Sequence, residues 1–217
     1  SADYDRGIVY IPTNPPTIDY FGGFRPGNNL FGTTVIALDV ESGERVWHFQ
    51  TVHSDEWNYD LPNVPLIVDL EVDGEEIPAV IQTTKQGLVF TFNRETGEPV
   101  WPIEEVEVLQ TEVPGNWTAA TQPIPTWPEP FEPLGLPIED VIDFTPELRE
   151  QALEIVSDYR VGGPYLPRLH QDHNSEVVDN IRCYGGLNIT NPATLDPSTG
   201  ILYASHSRRC GGGTVIP

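Results

Sequence analysis

Apolar and polar residues alternate along this chain in short runs, and turn residues close the runs at short intervals. That pattern predicts strands with one buried face. Two segments share it position by position: "ALDVESGERVW" (37–47) and "FTFNRETGEPVW" (90–101). Each reads as strand, tight turn, strand. Asp39 or Asn93 opens the turn, and Gly43 or Gly97 is suited to a positive φ. The Trp that follows is expected to close its own hairpin as an apolar plug. A second pattern recurs in "DRGIVYIPT" (5–13) and "DPSTGILYASH" (196–206), each an Asp, a turn with Gly, and an apolar strand with Tyr.

Two hairpin signals recurring at long period predict an all-β chain built of four-stranded units, the blades of a β-propeller. The strands are expected at 7–12, 33–39, 45–51 and 64–70 in the first blade. The second takes 77–83, 87–93, about 99–105 and about 186–195, and 200–205 opens a third. The chain thus holds about three blades, with a partly helical insertion over about 106–183. Within the insertion, "TPELREQALEIVSDYR" predicts a helix near 146–158. Thr145 is its N-cap, Pro146 its first residue, and acids come early in it. Leu148, Ala152, Leu153, Ile155 and Val156 would form its buried face. Residues 106–144 are rich in Pro and Trp and read as an extended ordered loop packed by its aromatics. Asn116-Trp117-Thr118 fits the glycosylation sequon, a motif short enough to recur by chance.

Composition narrows the partners. The chain has 217 residues, 33 acids and 11 bases, for a formal charge of −22. That balance argues against nucleic acid, whose phosphates require a basic surface, and fits a solvated acidic exterior. An aromatic content of 10% argues against a disordered acidic tail. No run of 18 apolar residues occurs. The first residues read as a turn and a strand in mid-fold, so the chain is expected to be part of a longer protein, with the remaining blades outside it. Cys183 and Cys210 each adjoin a Gly-rich turn; they are either a disulfide or two separate thiols, and the sequence leaves both open.

Successive connections in a meandering blade alternate between its two faces. On the strand map above, one face collects Asn14, the loop "HSDEWNYD" (53–60), Lys85 in the turn "TTKQG", Asn188 and His206. Taken singly these are a turn residue before proline, a solvated rim, a turn lysine and hydrogen-bonded imidazoles. Taken together they predict one axial pocket of the kind that holds a small molecule.

With those residues in view, the chain resembles the pyrroloquinoline quinone (PQQ) dependent alcohol and glucose dehydrogenases. The resemblance rests on the Trp-ended repeat, on "HFQTVHSDEWNYDLPNVPLIVDL", on "TTKQG", on "FNRETGEPVWPIEE" and on "TAATQPIPT". In the family's loop pattern His-x-Asp-x-Trp-Asp-x-Asp-x-Pro, the residues His53, Asp55, Trp57, Asp60 and Pro62 match. The resemblance implies an eight-bladed propeller with PQQ and Ca²⁺ on its axis. It implies oxidation of a sugar, polyol or alcohol, with electrons passed to a quinone or cytochrome. It also implies a periplasmic location, with attachment to the inner membrane through regions outside this chain. By the same resemblance Asn14 and Asn58 are calcium ligands, Lys85 bonds the quinone oxygens, and Asn188 lies near the quinone, although Ile189 follows it where relatives often carry Trp. The spacing 85 − 58 = 27 is that of the glucose-oxidising branch.

One departure matters. Asn58 stands where the family has its catalytic Asp. An amide oxygen can bind Ca²⁺, but an amide cannot serve as a general base. Asp60, two residues on in a loop taken as extended, and Asp55, three before, are the replacement candidates. Three readings follow: an active PQQ oxidoreductase, a weakened propeller that still binds PQQ or another ligand, and a cofactor-free scaffold.

Overall fold

The computed structural model describes residues 1–61, 63–172, 176–184, 193–207 and 209–216. The first sheet is antiparallel and in chain order, with β1 (Ala2–Asp3), β2 (Ile8–Pro12), β3 (Thr34–Asp39) and β4 (Arg45–Gln50). The second holds β5 (Leu66–Val72), β6 (Glu75–Thr83) and β7 (Val89–Asn93). Residues 98–100 extend it, through a bridge between Phe92 and Pro99 and a bond from Val100 N to Thr91 O at 2.9 Å.

Four-stranded blades therefore form, but the frame differs by one strand from the one expected. Strand 64–70 was to close the first blade; β5 instead opens the second. The cause is the Asp73-Gly74 turn, where both residues have positive φ (53° and 84°). A two-residue turn of that kind matches the twist of antiparallel strands and ties β5 to β6 as a hairpin. The connection from β4 to β5, residues 51–65, is the long one and carries the "HSDEWNYD" loop. Because every strand moves by one place, the alternation of connections is unchanged, and that loop still shares a face with the β6–β7 turn.

The core lies between the two sheets. Ile8 and Tyr10 of β2, Val35 and Ala37 of β3 and Trp47 of β4 meet Val80, Phe90 and Phe92 of the second sheet. Residues two apart on each strand face the same way, which the alternating sequence requires. Trp47 was expected to plug its own hairpin. It docks on the neighbouring one: a Cβ at Gly97 would stand 2.6 Å from Trp47 Cδ2 and Cγ, whereas one at Gly43 would meet nothing within 4 Å. Trp47 Nε1 donates to Arg94 O at 3.0 Å, and Tyr10 OH donates to the same carbonyl at 2.8 Å. The Arg94 side chain completes the lock between blades, with Nε 2.7 Å from Asp3 Oδ2 and Nη1 2.8 Å from Asp69 Oδ1. Burial works against ionisation of Asp3, but the Arg6 backbone N–H and the Arg94 and Arg6 guanidiniums outweigh it and hold the carboxyl below its ordinary value.

The insertion is more ordered and less aromatic-packed than expected. β8 (Ile103–Glu107) and β9 (Thr121–Pro125) form a hairpin, and Trp117 and Trp127 are exposed (41% and 51%) instead of packing it. Helix α1 (Pro146–Ser157) starts where predicted, with Thr145 Oγ1 accepting from Leu148 N at 3.3 Å. Its expected apolar face is not covered: Val156 is buried, while Leu148, Leu153 and Ile155 are exposed. The helix is held at its ends, by β10 (Tyr159–Arg160) and by the Arg149 guanidinium on the carbonyls of Ile138, Glu139 and Val141. β10 pairs in parallel with β11 (Asp179–Asn180). Then follow β12 (Arg182–Tyr184), β13 (Thr194–Asp196), β14 (Ile201–Tyr203) and β15 (Arg209–Gly211). The strands expected at 186–195 and 200–205 in separate blades are, over their described residues, one hairpin, β13 with β14. β12 pairs with β15, placing Cys183 opposite Cys210, and the two are joined as a disulfide.

Candidate functional site

The loop 51–65 is built around one buried carboxylate. Asp55 Oδ1 accepts from Trp57 N at 2.9 Å, and Oδ2 accepts from Tyr59 N at 2.9 Å and Thr33 Oγ1 at 3.0 Å. The residue is 1% exposed. Burial raises its carboxyl above the ordinary aspartate value, against the pull of those three donors. Asp55 thus folds the loop, and its oxygens are committed to it. This removes Asp55 as a replacement base, because a base needs a lone pair open to substrate.

Two aromatic residues fix the same loop from the other side. Trp57 and Tyr59 stack at 6.2 Å and meet Tyr165 edge-on at 5.2 and 5.8 Å. Trp57 Nε1 donates to Leu166 O at 3.1 Å and Tyr59 OH to Pro164 O at 2.5 Å. Asn58, between the two buried aromatics, is half-exposed and has φ 62°. That left-handed conformation suits Asn and Asp among residues with a side chain. It also breaks the extended geometry assumed for the loop, so Asn58 and Asp60 do not share a direction by simple alternation.

Lys85 reaches this loop from the next hairpin. The turn Thr84–Leu88 is closed by Thr84 N to Leu88 O at 3.0 Å and Leu88 N to Thr84 Oγ1 at 3.1 Å, with Gly87 at φ 96°. Lys85 Nζ lies 2.6 Å from Asp60 Oδ2, both side chains being about one-fifth exposed (22% and 19%). Lys85 is also the only lysine in the sequence. The Asn58 amide Nδ2 donates to Tyr20 OH at 3.3 Å. Asn14 joins through its backbone, its carbonyl accepting from Thr33 N at 3.3 Å, while its side chain is exposed. Asn188 lies outside the described residues.

His53 belongs to the scaffold. Its ring nitrogens sit 3.0 Å from Gln50 Oε1 and 3.0 Å from Glu105 Oε1, and its backbone is clamped by Gln122 through two bonds of 2.8 Å. His206 likewise pairs with Glu132 at 2.9 Å. The sequon asparagine is occupied: Asn116 Nδ2 donates to Glu56 at 2.5 Å and its Oδ1 accepts from Gly22 N at 2.7 Å. Burial raises the Glu56 carboxyl above its ordinary value, against the hydrogen bonds from Thr118 and Asn116.

Gln122, Thr33 and Tyr20 were not singled out in the sequence, because each acts through a contact far away along the chain. An apolar cavity of about 390 Å³ lined by Val106, Val108, Leu109, Ile124, Leu134 and Tyr165 contains none of the candidate residues. Among the described residues no group of three or more His, Cys, Asp or Glu forms a metal cluster. The loop offers the Asn58 amide oxygen and the Asp60 carboxylate, and Asn14 carries an amide on an exposed side chain. Ca²⁺ accepts oxygens of these kinds but takes six to eight of them, so these residues alone do not complete a calcium shell.

The model of the PQQ-type glucose/ethanol/alcohol dehydrogenase β-propeller domain matches residues 1–217. The glycerol dehydrogenase large subunit of Gluconobacter thailandicus is 37% identical over 126 residues, covering 57% of this chain and 17% of that protein. The quinoprotein glucose dehydrogenase of Escherichia coli (strain K12) is 36% identical over 125 residues, 56% of this chain and 16% of that one. The chain spans about a sixth of the length of these curated relatives. Among solved structures, a quinohemoprotein alcohol dehydrogenase from Pseudomonas putida HK5 superposes with a TM-score of 0.58 at 18% identity, covering 99% of this chain and 26% of that one. That likeness is one of fold.

Proposed function

Since the chain belongs to the PQQ-type glucose/ethanol/alcohol dehydrogenase β-propeller family, we propose that it supplies one side of the axial site of a PQQ-dependent oxidoreductase acting on a sugar, polyol or alcohol. The observation that carries this reading is the meeting of Lys85 with Asp60 at 2.6 Å, which joins groups from two separate loops on one face. PQQ, when bound, supplies the two-electron acceptor that takes hydride from the alcohol carbon. Lys85 presents a fixed positive charge toward quinone oxygens that gain electron density, an interaction stronger in the transition state than in the ground state. Asn58 and Asn14 offer amide oxygens to Ca²⁺. Asp60 is the loop carboxylate left at the site, since Asp55 is enclosed, and it accepts the hydroxyl proton in this reading. Lys85 serves it as counter-ion.

The amide at position 58 supports a second reading, a propeller that binds PQQ with weakened turnover. General-base catalysis is worth about 10²–10⁴-fold in rate, so the two readings differ measurably. The test uses the full-length protein with PQQ and Ca²⁺ in dye-linked oxidation of a panel of sugars, polyols and alcohols. The active reading expects Asp60→Asn to abolish turnover while PQQ still binds. The weakened reading expects slow wild-type turnover that Asn58→Asp raises. Wild-type protein that binds no PQQ would overturn both.

The remaining parts of the proposal concern the cell. Electrons would pass on to a quinone or cytochrome, and the protein would work in the periplasm, attached to the inner membrane through regions outside this chain. The Cys183–Cys210 disulfide supports the oxidising compartment.

A further inference from the structure

Two of the basic residues that the candidate site leaves unused meet at Tyr20. This is unexpected in a chain with 11 bases against 33 acids. The Arg168 guanidinium carbon lies 4.0 Å from the Tyr20 ring centroid and that of Arg182 lies 5.9 Å from it. The two come from distant segments: Arg168 from the stretch after the Trp57–Tyr165 box, Arg182 from β12 beside the disulfide. Arg168 Nη1 donates to Gly213 O at 2.8 Å. Its Nε is buried without a hydrogen-bond partner among the described residues, and so is Arg182 Nη1, on a residue only 4% exposed.

A buried guanidinium beside a part-buried one, each with one donor unfilled, is a destabilised arrangement. Burial first, and then the charge of Arg182, lower the basicity of Arg168, against the opposing pull of Tyr20 and of the Asp179 carboxylate. An anion with two oxygens would relieve both the repulsion and the unfilled donors, because a carboxylate matches the guanidinium fork. The shape beside Arg168 limits the rest of the ligand. A cavity of about 270 Å³ opens on Tyr20 and Arg168 and is otherwise lined by Ile18, Phe21, Phe24, Thr214, Val215 and Ile216. Its walls suit a ring or other apolar body. Through the 3.3 Å contact of Tyr20 OH with Asn58, the cavity lies one side chain from the site loop.

We propose that Arg168 and Arg182, standing over Tyr20, form a carboxylate-binding site beside the Asn58 loop. Its ligand carries a carboxylate on a ring-sized body. The source is either a carboxylate of PQQ or that of a cyclic hydroxy-acid substrate, and only this last step rests on the PQQ reading above.

The test uses full-length protein and two probes, benzoate with benzamide as its neutral control, and PQQ, followed by calorimetry and tryptophan fluorescence. Wild type is expected to bind benzoate in preference to benzamide. Arg168→Gln and Arg182→Gln should each weaken benzoate about 10- to 100-fold, the scale of a lost charge-assisted pair, and leave benzamide unmoved. Arg168→Lys, which keeps the charge without the fork, should fall between. If benzoate binds the PQQ-loaded protein and PQQ affinity is unchanged in the variants, the substrate is the source. If benzoate competes with PQQ and PQQ affinity falls by the same factor, the cofactor is the source. A purely structural role for the arginines would lower the melting temperature without separating benzoate from benzamide, and that result overturns the proposal. Wild type that binds benzoate as above but no PQQ keeps the carboxylate site and removes the PQQ reading.

Discussion

Gly43 and Gly97 occupy equivalent positions in the two repeats, and both have positive φ (71° and 77°), so they offer a matched pair of substitutions. Alanine at either should cost about 1–2 kcal/mol for placing a Cβ in the left-handed region. At Gly43 nothing lies within 4 Å of that Cβ, and the cost ends there. At Gly97 the methyl would stand 2.6 Å from the Trp47 ring, far inside contact distance. Trp47 must then back out of the interface between the blades. Overpacking of this kind costs about 1–3 kcal/mol, and loss of the bond from Trp47 Nε1 to Arg94 O adds about 1 kcal/mol. Gly97→Ala should therefore exceed Gly43→Ala by about 2–4 kcal/mol. The measurement is hydrogen exchange of the β3, β4 and β7 amides in the full-length protein, which reads local opening directly. The difference corresponds to about 30- to 700-fold faster exchange through opening of these strands in Gly97→Ala than in Gly43→Ala. Lys85 comes from the second blade and Asp60 from the loop that joins the two, so Gly97→Ala should also weaken PQQ binding. Equal exchange in the two variants would show that Trp47 does not dock on Gly97, and would refute the account of how the blades are joined.

Three further outcomes are expected. Asp55→Asn should destabilise loop 53–60 by about 1–3 kcal/mol, because an amide nitrogen cannot accept and leaves one buried donor unpaired; faster exchange at Trp57 and Tyr59 checks this, and unchanged protection would restore Asp55 as a free acid. Asp3 has its carboxyl held below the ordinary value, so its contribution is fully present above the unfolded aspartate value of about 3.9 and is lost as pH falls through the folded value; Asp3→Asn should flatten the acid limb of the unfolding profile, and an unchanged limb counts against the Arg94 lock. Cys183→Ser should cost about 3–4 kcal/mol by chain entropy for a separation of 27 residues, and reductant should produce the same loss in wild type and none in the variant.

The sequence by itself determined the repeat, its two hairpins and the helix start. These depend on residues within a few positions of one another: Asp39 and Gly43, Asn93 and Gly97, Thr145 and Leu148. It also placed Lys85 and the 53–60 loop on one face, because strand parity survives a shift of frame. The shift itself was legible in Asp73-Gly74, a strong local hairpin signal. What only the tertiary structure decided is where long-range partners end. The repeat makes Trp47 conspicuous but does not say that it packs on Gly97, 50 residues away. Asp55 and Asp60 look alike along the chain, and burial beside Thr33 makes one a loop organiser while Lys85 keeps the other at the site. The apolar stripe of α1 promised a buried face, yet periodicity records only which residues share a side and not what lies against it. Tyr20, Arg168 and Arg182 carry no local pattern, since their meaning arises only when three distant segments bring two cations to one ring.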